Sequence, residues 1–163
     1  MNKEKNSTTH IGLDAAKSEE LTQSLNNLLA NYQVFYMNIR GFHWNIKGAK
    51  FFELHLKFEE LYTELLMKID ELAERVLTLG GTPTHSYSSY LADSQIREAI
   101  GVSSSSETVR SLLNSFEILL AKQRLIMDLS DEANDEGTNS LMSDYIREQE
   151  KHVWMYGAFL SES

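Results

Sequence analysis

Two histidines, His43 and His55, stand on either side of a short KGAK segment. Three acids, Glu59, Asp70 and Glu74, follow along the second predicted helix. Imidazole nitrogens and carboxylate oxygens without thiolates form a ligand set that suits Fe(II), Zn(II) or Mn(II), and open coordination positions favour iron oxidation chemistry. These five residues are the candidate metal ligands.

The second predicted helix has three faces when it is projected at about 100° per residue. The solvated face carries the charged residues Lys50, Glu53, Lys57, Glu60, Glu64, Lys68, Glu71 and Arg75. The stripe predicted to face the core consists of Leu54, Phe58, Leu61, Leu65, Ile69, Leu72 and Val76. The third strip is mostly apolar, which suggests a partner surface. It also holds His55 and the three acids, and covered carboxylates are costly unless they bind a cation or form good pairs.

His55 and Asp70 cannot share a metal within one chain, because fifteen residues of helix separate them by about 22 Å. A second copy that packs antiparallel about a two-fold axis near residues 63–65 solves this problem. It places His55 and Glu59 of one chain opposite Asp70 and Glu74 of the other, so that one interface contains two identical sites. His43 can join His55 of its own chain across the turn.

Two alternatives stay open at this point. The histidines can be satisfied interface residues, with the acids paired to Arg40, Lys47 or Arg75. The strip around Tyr62 and Leu66 can also serve a non-catalytic helical dimer or adaptor. That hypothesis predicts neither metal-dependent stability nor peroxide consumption with Fe(II).

The elements that position these residues are predicted to be all helical. The chain has one proline, its apolar residues recur mainly with the 3.6-residue period of a helix, and few segments show a strand pattern. The expected core stripe of the first helix is Leu21, Leu25, Leu28, Leu29, Tyr32, Phe35, Ile39 and Phe42. Helices are predicted from Asp14–Ser18 to Asn45, from Lys50 to Leu79, at 87–93, from Ser104 to about Asp135, and from Thr138 to Leu160. Gly80, Gly81 and Pro83 should end the second helix, and Gly137 the fourth of these five.

Two hairpin-like turns that flank one long crossing connection suit a ferritin-like four-helix bundle, with a short extra helix in the connection. Residues 1–13 are predicted to form a flexible N-terminal arm, and residues 14–163 a single domain. The length of 163 residues is enough for one core.

The formal net charge of −9 argues against a general phosphate-binding surface, because nucleic-acid affinity comes mainly from clustered Lys and Arg. The absence of a signal peptide and of a long apolar run predicts a soluble cytoplasmic protein without membrane association. The absence of cysteine excludes disulfides and thiolate metal sites. His10, His85 and His152 are predicted to be surface or loop residues without a role.

The segments HWNIKGAKFFELHLKFEE and IDELAERVLTLGGTP resemble the Dps family of mini-ferritins, the DNA-binding proteins from starved cells. The shared pattern is H-W-N, a histidine twelve residues later, an acid four beyond it, and D-x-x-x-E before R and L-G-G. The resemblance covers all four long helices but is weaker in the connector and the last helix, where Trp154 falls in a similar place. No histidine has a Glu three positions before it, which disfavours the Glu-x-x-His sites of larger ferritins.

The resemblance implies a ferroxidase whose ligands are His43, His55, Glu59, Asp70 and Glu74, at the two-fold interface of a hollow dodecamer. Fe(II) would be oxidised, preferentially by hydrogen peroxide, and stored inside as ferric mineral, which protects DNA and the cell from oxidative stress. Zn or Mn could substitute for Fe at the site.

Three further features follow from the resemblance. Trp44 would be either a redox-active neighbour of the site or a packing residue. An acidic cluster would line pores through which iron enters, or else form a solvated helix end: Asp128, Asp131, Glu132, Asp135 and Glu136. Direct DNA binding, which would make the protein nucleoid-associated, is a weaker expectation, because Lys3 and Lys5 in the arm are offset by Glu4.

Overall fold

Five helices account for most of residues 7–161, the part of the chain that the computed structural model describes. They are α1 (Ala15–Asn45), α2 (Phe51–Thr78), α3 (Tyr87–Asp93), α4 (Ser105–Glu132) and α5 (Glu136–Leu160). Within these residues there is no strand, only an isolated bridge between Thr8 and Asp14. The predicted all-α four-helix bundle with a short helix in its crossing connection is confirmed.

The bundle consists of two helical hairpins, because α1 packs against α2 and α4 packs against α5, while α1 also contacts α3 and α4. Every residue of the two predicted core stripes is buried. Aromatic pairs join the hairpins, and the rings of Phe35 and Phe116 meet edge to face at 5.2 Å. No helix within residues 7–161 has the length and apolar character needed to cross a membrane.

Side-chain caps set the starts of α1 and α4, and both starts agree with the predicted helix bounds. The Asp14 carboxylate accepts a hydrogen bond from the Lys17 backbone amide at 2.9 Å. The Ser104 hydroxyl accepts from the amide of Glu107 and donates to its carboxylate at 2.8 Å. Each cap satisfies a backbone donor that the first turn of a helix leaves unpaired.

Asparagines on α1 hold the crossing connection against the bundle. The Asn31 side-chain oxygen accepts from the amides of Gln95 and Ile96 at 3.0 and 3.1 Å. The Asn38 side chain accepts from the Ala99 amide at 2.9 Å and donates to the backbone oxygen of Arg97 at 2.8 Å. Helical periodicity gives no signal for these contacts, so they were not predicted from the sequence.

The turn between α4 and α5 differs from the prediction. α4 ends at Glu132, and Asn134 takes the left-handed conformation with φ of 53°. Asp135 caps α5, so Gly137 and Thr138 lie inside its first turn rather than before it. Asn tolerates the left-handed region and Asp is a favoured cap, and this pair overrides the stop signal expected from Gly137.

Gly137 instead makes room for a neighbouring side chain. A Cβ atom at this position would lie 2.8 Å from Nη2 of Arg75 on α2. That guanidinium forms an ion pair with Asp135, whose carboxylate is almost fully buried. The glycine therefore serves close packing at the α2–α5 contact.

Residues 7–13 of the predicted arm form a turn before α1. The Thr9 amide donates to the Leu13 oxygen at 2.7 Å, and the Ala15 amide donates to the Ser7 oxygen at 2.9 Å. The rest of the predicted arm, including Lys3, Glu4 and Lys5, lies outside the described residues.

Candidate metal centre

His43 and His55 face each other across the turn between α1 and α2. Their rings stack with centroids 3.8 Å apart and planes inclined by 16°. His43 lies in the last turn of α1, and His55 lies in the second turn of α2. Gly48, with φ of 105°, allows the chain to reverse direction between them.

Reciprocal hydrogen bonds fix the orientation of both rings. Nδ1 of His43 lies 2.7 Å from the backbone oxygen of His55, and Nδ1 of His55 lies 2.7 Å from the backbone oxygen of His43. A carbonyl oxygen can only accept, so each Nδ1 must carry the hydrogen. In the neutral form each Nε2 therefore keeps a free lone pair, the arrangement that a metal-binding histidine requires.

Aromatic rings hold the two imidazoles from the sides. Phe51 stacks on His55 with ring centroids 5.1 Å apart, and the edge of Tyr62 meets His43 at 5.3 Å. His43 is buried, and His55 is partly buried. These contacts restrict rotation of both rings, so the Nε2 atoms are positioned before any ligand arrives.

The three candidate acids are exposed and lack cationic partners within the described chain. Glu59, Asp70 and Glu74 form no ion pair with any residue of the range 7–161. Arg75 pairs with Asp135 instead. The pairing with Arg40, Lys47 or Arg75 considered above is thus absent from the single chain.

The structure brings the two histidines together but not the full predicted set. Among residues 7–161, no group of three or more His, Asp or Glu side chains converges in a metal-binding arrangement. α2 runs as one helix from Phe51 to Thr78, so the separation of about 22 Å between His55 and Asp70 stands. The shared ligand set remains a prediction.

Large apolar side chains are exposed on the face that carries the candidate ligands. Trp44, Leu66 and Leu77 are each more than half exposed, at 58%, 52% and 58%. Exposed apolar side chains along one face suggest a place where another molecule packs.

A charged network lies on the opposite side of α2, where the sequence predicted side chains exposed to solvent. Lys68, assigned to the solvated face, is buried by α5, with Nζ 2.9 Å from Glu64 and 2.6 Å from Glu148. His152, expected to be a surface residue, is half-buried, and its Nε2 lies 2.9 Å from Glu64. In the sequence, the one-turn spacing of Glu148 and His152 on α5 was the available signal for this network. A projection of α2 alone cannot show how much of the α2 surface α5 covers.

Electrostatics in this network follow from its hydrogen bonds. Burial alone would raise the pKa of Glu64, but hydrogen bonds from His152 and Lys68 outweigh it and lower the pKa to about 2. Burial alone would lower the pKa of Lys68, but bonds to Glu148 and Glu64 raise it. The network therefore favours the charged forms of both residues.

The acidic cluster at the α4–α5 turn divides into two parts. Asp128, Asp131, Glu132 and Glu136 are exposed. Asp135 is buried, and its carboxylate already has partners: it accepts a hydrogen bond from the Thr138 amide at 3.1 Å and forms an ion pair with the Arg75 guanidinium at 2.6 Å. Only the four exposed acids are available to face a channel.

Comparison with known proteins identifies the family. A model of the ferritin-like domain matches residues 22–163. A crystal structure of a Dps protein from Vibrio cholerae O1, described as a ferritin-like diiron-carboxylate protein, has a TM-score of 0.95 and 57% identity, over 96% of this chain and 99% of that one. The chain belongs to the Dps family.

Other Dps proteins agree with this assignment. The DNA protection during starvation protein of Porphyromonas gingivalis is 41% identical over 93% of this chain and 95% of its own length. A structure of Dps from Listeria innocua soaked with zinc has a TM-score of 0.84 and 31% identity, over 88% of this chain and 97% of that one. The family and the ferritin-like fold expected from the sequence are therefore confirmed.

Proposed function

We propose that this Dps protein is an iron-storing, iron-detoxifying mini-ferritin with ferroxidase sites shared between two subunits. The observation that carries the proposal is the reciprocal hydrogen bonding of His43 and His55, two stacked rings, which leaves the Nε2 lone pair of each free. The exposed apolar strip beside them and the unpaired acids along α2 support a second copy as the source of the missing ligands.

The proposed interface pairs two α2 helices antiparallel about a two-fold axis near residues 63–65. His43, His55 and Glu59 of one subunit then meet Asp70 and Glu74 of its neighbour. The histidines would hold the iron, Asp70 and Glu74 would bridge or neutralise charge, and Glu59 would serve a second, weaker position. Zn(II) and Mn(II) suit the same nitrogen and oxygen donors and are the proposed substitutes.

Fe(II) is the substrate of the proposed reaction, and hydrogen peroxide is its preferred oxidant. Two Fe(II) ions each give one electron to one peroxide molecule, which takes up two protons and leaves as two water molecules. The Fe(III) product is stored as mineral inside a hollow dodecamer built from two-fold dimers. Fe(II) and peroxide, which together generate hydroxyl radicals, are thereby removed in one step.

Two surface features support the proposed path of iron and of electrons. The exposed acids Asp128, Asp131, Glu132 and Glu136 would line the entry pores, because negative charge concentrates cations. Trp44, next to His43, would take up oxidising equivalents when a second Fe(II) is absent.

Protection of DNA would come chiefly from this chemistry rather than from direct association. Several relatives are named DNA protection during starvation proteins. The net charge of −9 opposes binding to a phosphate backbone. A gel-shift assay at low salt with the assembled protein tests this, and retarded DNA would favour direct binding instead.

Anaerobic Fe(II) titration followed by peroxide tests the proposed site. The parent should oxidise about two Fe(II) per peroxide, and His43→Ala/His55→Ala should lose most of the fast phase. The matched control is His10→Ala/His85→Ala, because both histidines are exposed and remote from the candidate ligands in sequence. Equal kinetics in parent and His43→Ala/His55→Ala would contradict the assignment and favour the adaptor hypothesis.

A further inference from the structure

Arg40 on α1 lies among three aromatic side chains beside the histidine pair. Its Cζ atom is 4.7 Å from the ring centroid of Tyr62, 4.9 Å from that of Trp44 and 5.7 Å from that of Tyr36. Nη1 also donates to the Tyr36 hydroxyl at 2.9 Å. We call these three rings the aromatic clamp.

The clamp holds the guanidinium without cancelling its charge. Arg40 is half-buried, and it forms no ion pair with any carboxylate of residues 7–161. Aromatic faces attract a cation through their quadrupole and contribute no net charge. A carboxylate would have fixed Arg40 equally well, but it would have neutralised the field that Arg40 exerts on its surroundings.

That field reaches the proposed metal site. Tyr62 contacts both Arg40 and His43, with its ring centroid 4.7 Å from Cζ and 5.3 Å from the imidazole centroid. Cζ of Arg40 is therefore at most about 10 Å from the His43 ring, a distance at which two charges near a protein surface still interact.

We propose that Arg40 sets the preference of this site for Fe(II) over Fe(III) and so favours release of the oxidised product. This inference rests on the proposed ferroxidase function. A fixed positive charge disfavours a bound cation in proportion to the charge of that cation. Fe(III) is therefore disfavoured more than Fe(II), and the site empties after each oxidation instead of retaining its product.

The expected size follows from Coulomb's law. At about 10 Å and an effective dielectric constant of about 20, each elementary charge on the bound cation changes its affinity by roughly tenfold. Removal of the Arg40 charge should therefore strengthen binding of a divalent cation, which carries two charges, by roughly a hundredfold. It should strengthen retention of Fe(III) by a further factor of roughly ten.

Two substitutions in the assembled full-length protein separate charge from shape. Arg40→Met removes the charge but keeps an unbranched stem, and Arg40→Lys keeps the charge but loses the planar group. Lys57→Met is the matched control, because it removes one cation from the exposed face of α2, where Lys57 pairs with Glu60.

Calorimetric titration with Zn(II) gives the first readout, because this ion measures charge without redox chemistry. Arg40→Met should bind Zn(II) roughly a hundredfold more tightly than the parent, whereas Arg40→Lys and Lys57→Met should stay within about twofold. The second readout is the rate ratio of successive Fe(II) turnovers with peroxide. The second turnover should slow roughly tenfold relative to the first only in Arg40→Met.

Unchanged or weaker Zn(II) binding by Arg40→Met, or a constant turnover ratio, would overturn the inference. The same result in Arg40→Lys as in Arg40→Met would also overturn it, since the effect would then come from shape. Failure of the proposed function is recognised separately. In that case Fe(II) oxidation by the parent would not depend on His43 and His55, whatever the Zn(II) affinities of the Arg40 variants.

Discussion

Replacement of Glu64 by Gln should remove a defined part of the pH dependence of stability. In the folded chain, burial favours the protonated form, but hydrogen bonds from His152 and Lys68 outweigh it and lower the pKa of Glu64 from 4.5 to about 2. A folded-state pKa below the unfolded value contributes stability that is fully present above about pH 4.5. This contribution is lost as the pH falls toward about 2.

The magnitude follows from the size of the shift. At about 1.4 kcal/mol per pKa unit, the full shift corresponds to about 3 kcal/mol. The Glu64 side chain is 30% exposed, so water screens its partners and we halve the figure to about 1.5 kcal/mol. By about pH 3 the unfolded carboxyl is protonated, and about 1 kcal/mol of this contribution should be gone.

Urea denaturation at about pH 7 and about pH 3 measures this effect. Protein concentration must be fixed, because subunit association makes apparent stability depend on it. The difference in unfolding free energy between the parent and Glu64→Gln should narrow by about 1 kcal/mol at the lower pH. Glu60→Gln is the control, since Glu60 lies one turn away on α2 and is 54% exposed. An equal narrowing for Glu60→Gln, or none for Glu64→Gln, would refute the reasoning.

Three further substitutions probe contacts inside the bundle, the first two by urea denaturation and the third by hydrogen exchange. Arg75→Met should lower the unfolding free energy by about 3 kcal/mol, because it leaves the buried carboxylate of Asp135 without its cation. Asp135→Asn in the same background should recover part of this loss. No recovery would contradict the explanation by charge. Tyr32→Phe should lower the unfolding free energy by about 1–3 kcal/mol, because the buried Tyr32 hydroxyl donates a hydrogen bond to Gln123. A loss below about 0.5 kcal/mol would contradict this, since it would show that the Gln123 side chain finds another partner. Asn31→Ala should speed hydrogen exchange at the Ile96 amide, and unchanged protection there would argue against the anchor assigned to Asn31.

Local signals in the sequence were sufficient for the first half of the bundle. α3 occupies the predicted residues 87–93, and α2 begins and ends one residue inside its predicted bounds. Caps and glycines act within a few residues, so they can be read directly from the chain. At the α4–α5 turn two such signals competed, and the Asn134–Asp135 pair prevailed over Gly137.

Contacts between helices were harder to predict. Periodicity assigns faces to one helix, but the width of its buried face depends on where the neighbours lie. Lys68 sits at the border of the α2 stripe, and α5 extends the covered region over it. His152 was misplaced for the same reason, because its partner Glu64 is 88 residues away along the chain.

The candidate site shows the same division between local and long-range information. The meeting of His43 and His55 follows from their positions around a short turn, and the structure shows them stacked. Their reciprocal bonds to backbone oxygens were not predictable, because they depend on the exact approach of the two helix ends. The aromatic clamp around Arg40 was missed because it joins residues of two helices.

The acids on α2 connect assembly with metal binding in the proposed arrangement. In the single chain Glu59, Asp70 and Glu74 are exposed, so water solvates their charges at no cost. When a second copy covers the strip, that water is lost, and unpaired carboxylates in an apolar interface become costly. A divalent cation held by the opposite histidines supplies the missing positive charge. By thermodynamic linkage, a metal that binds only the paired subunits stabilises their association, and association raises affinity for the metal by the same factor.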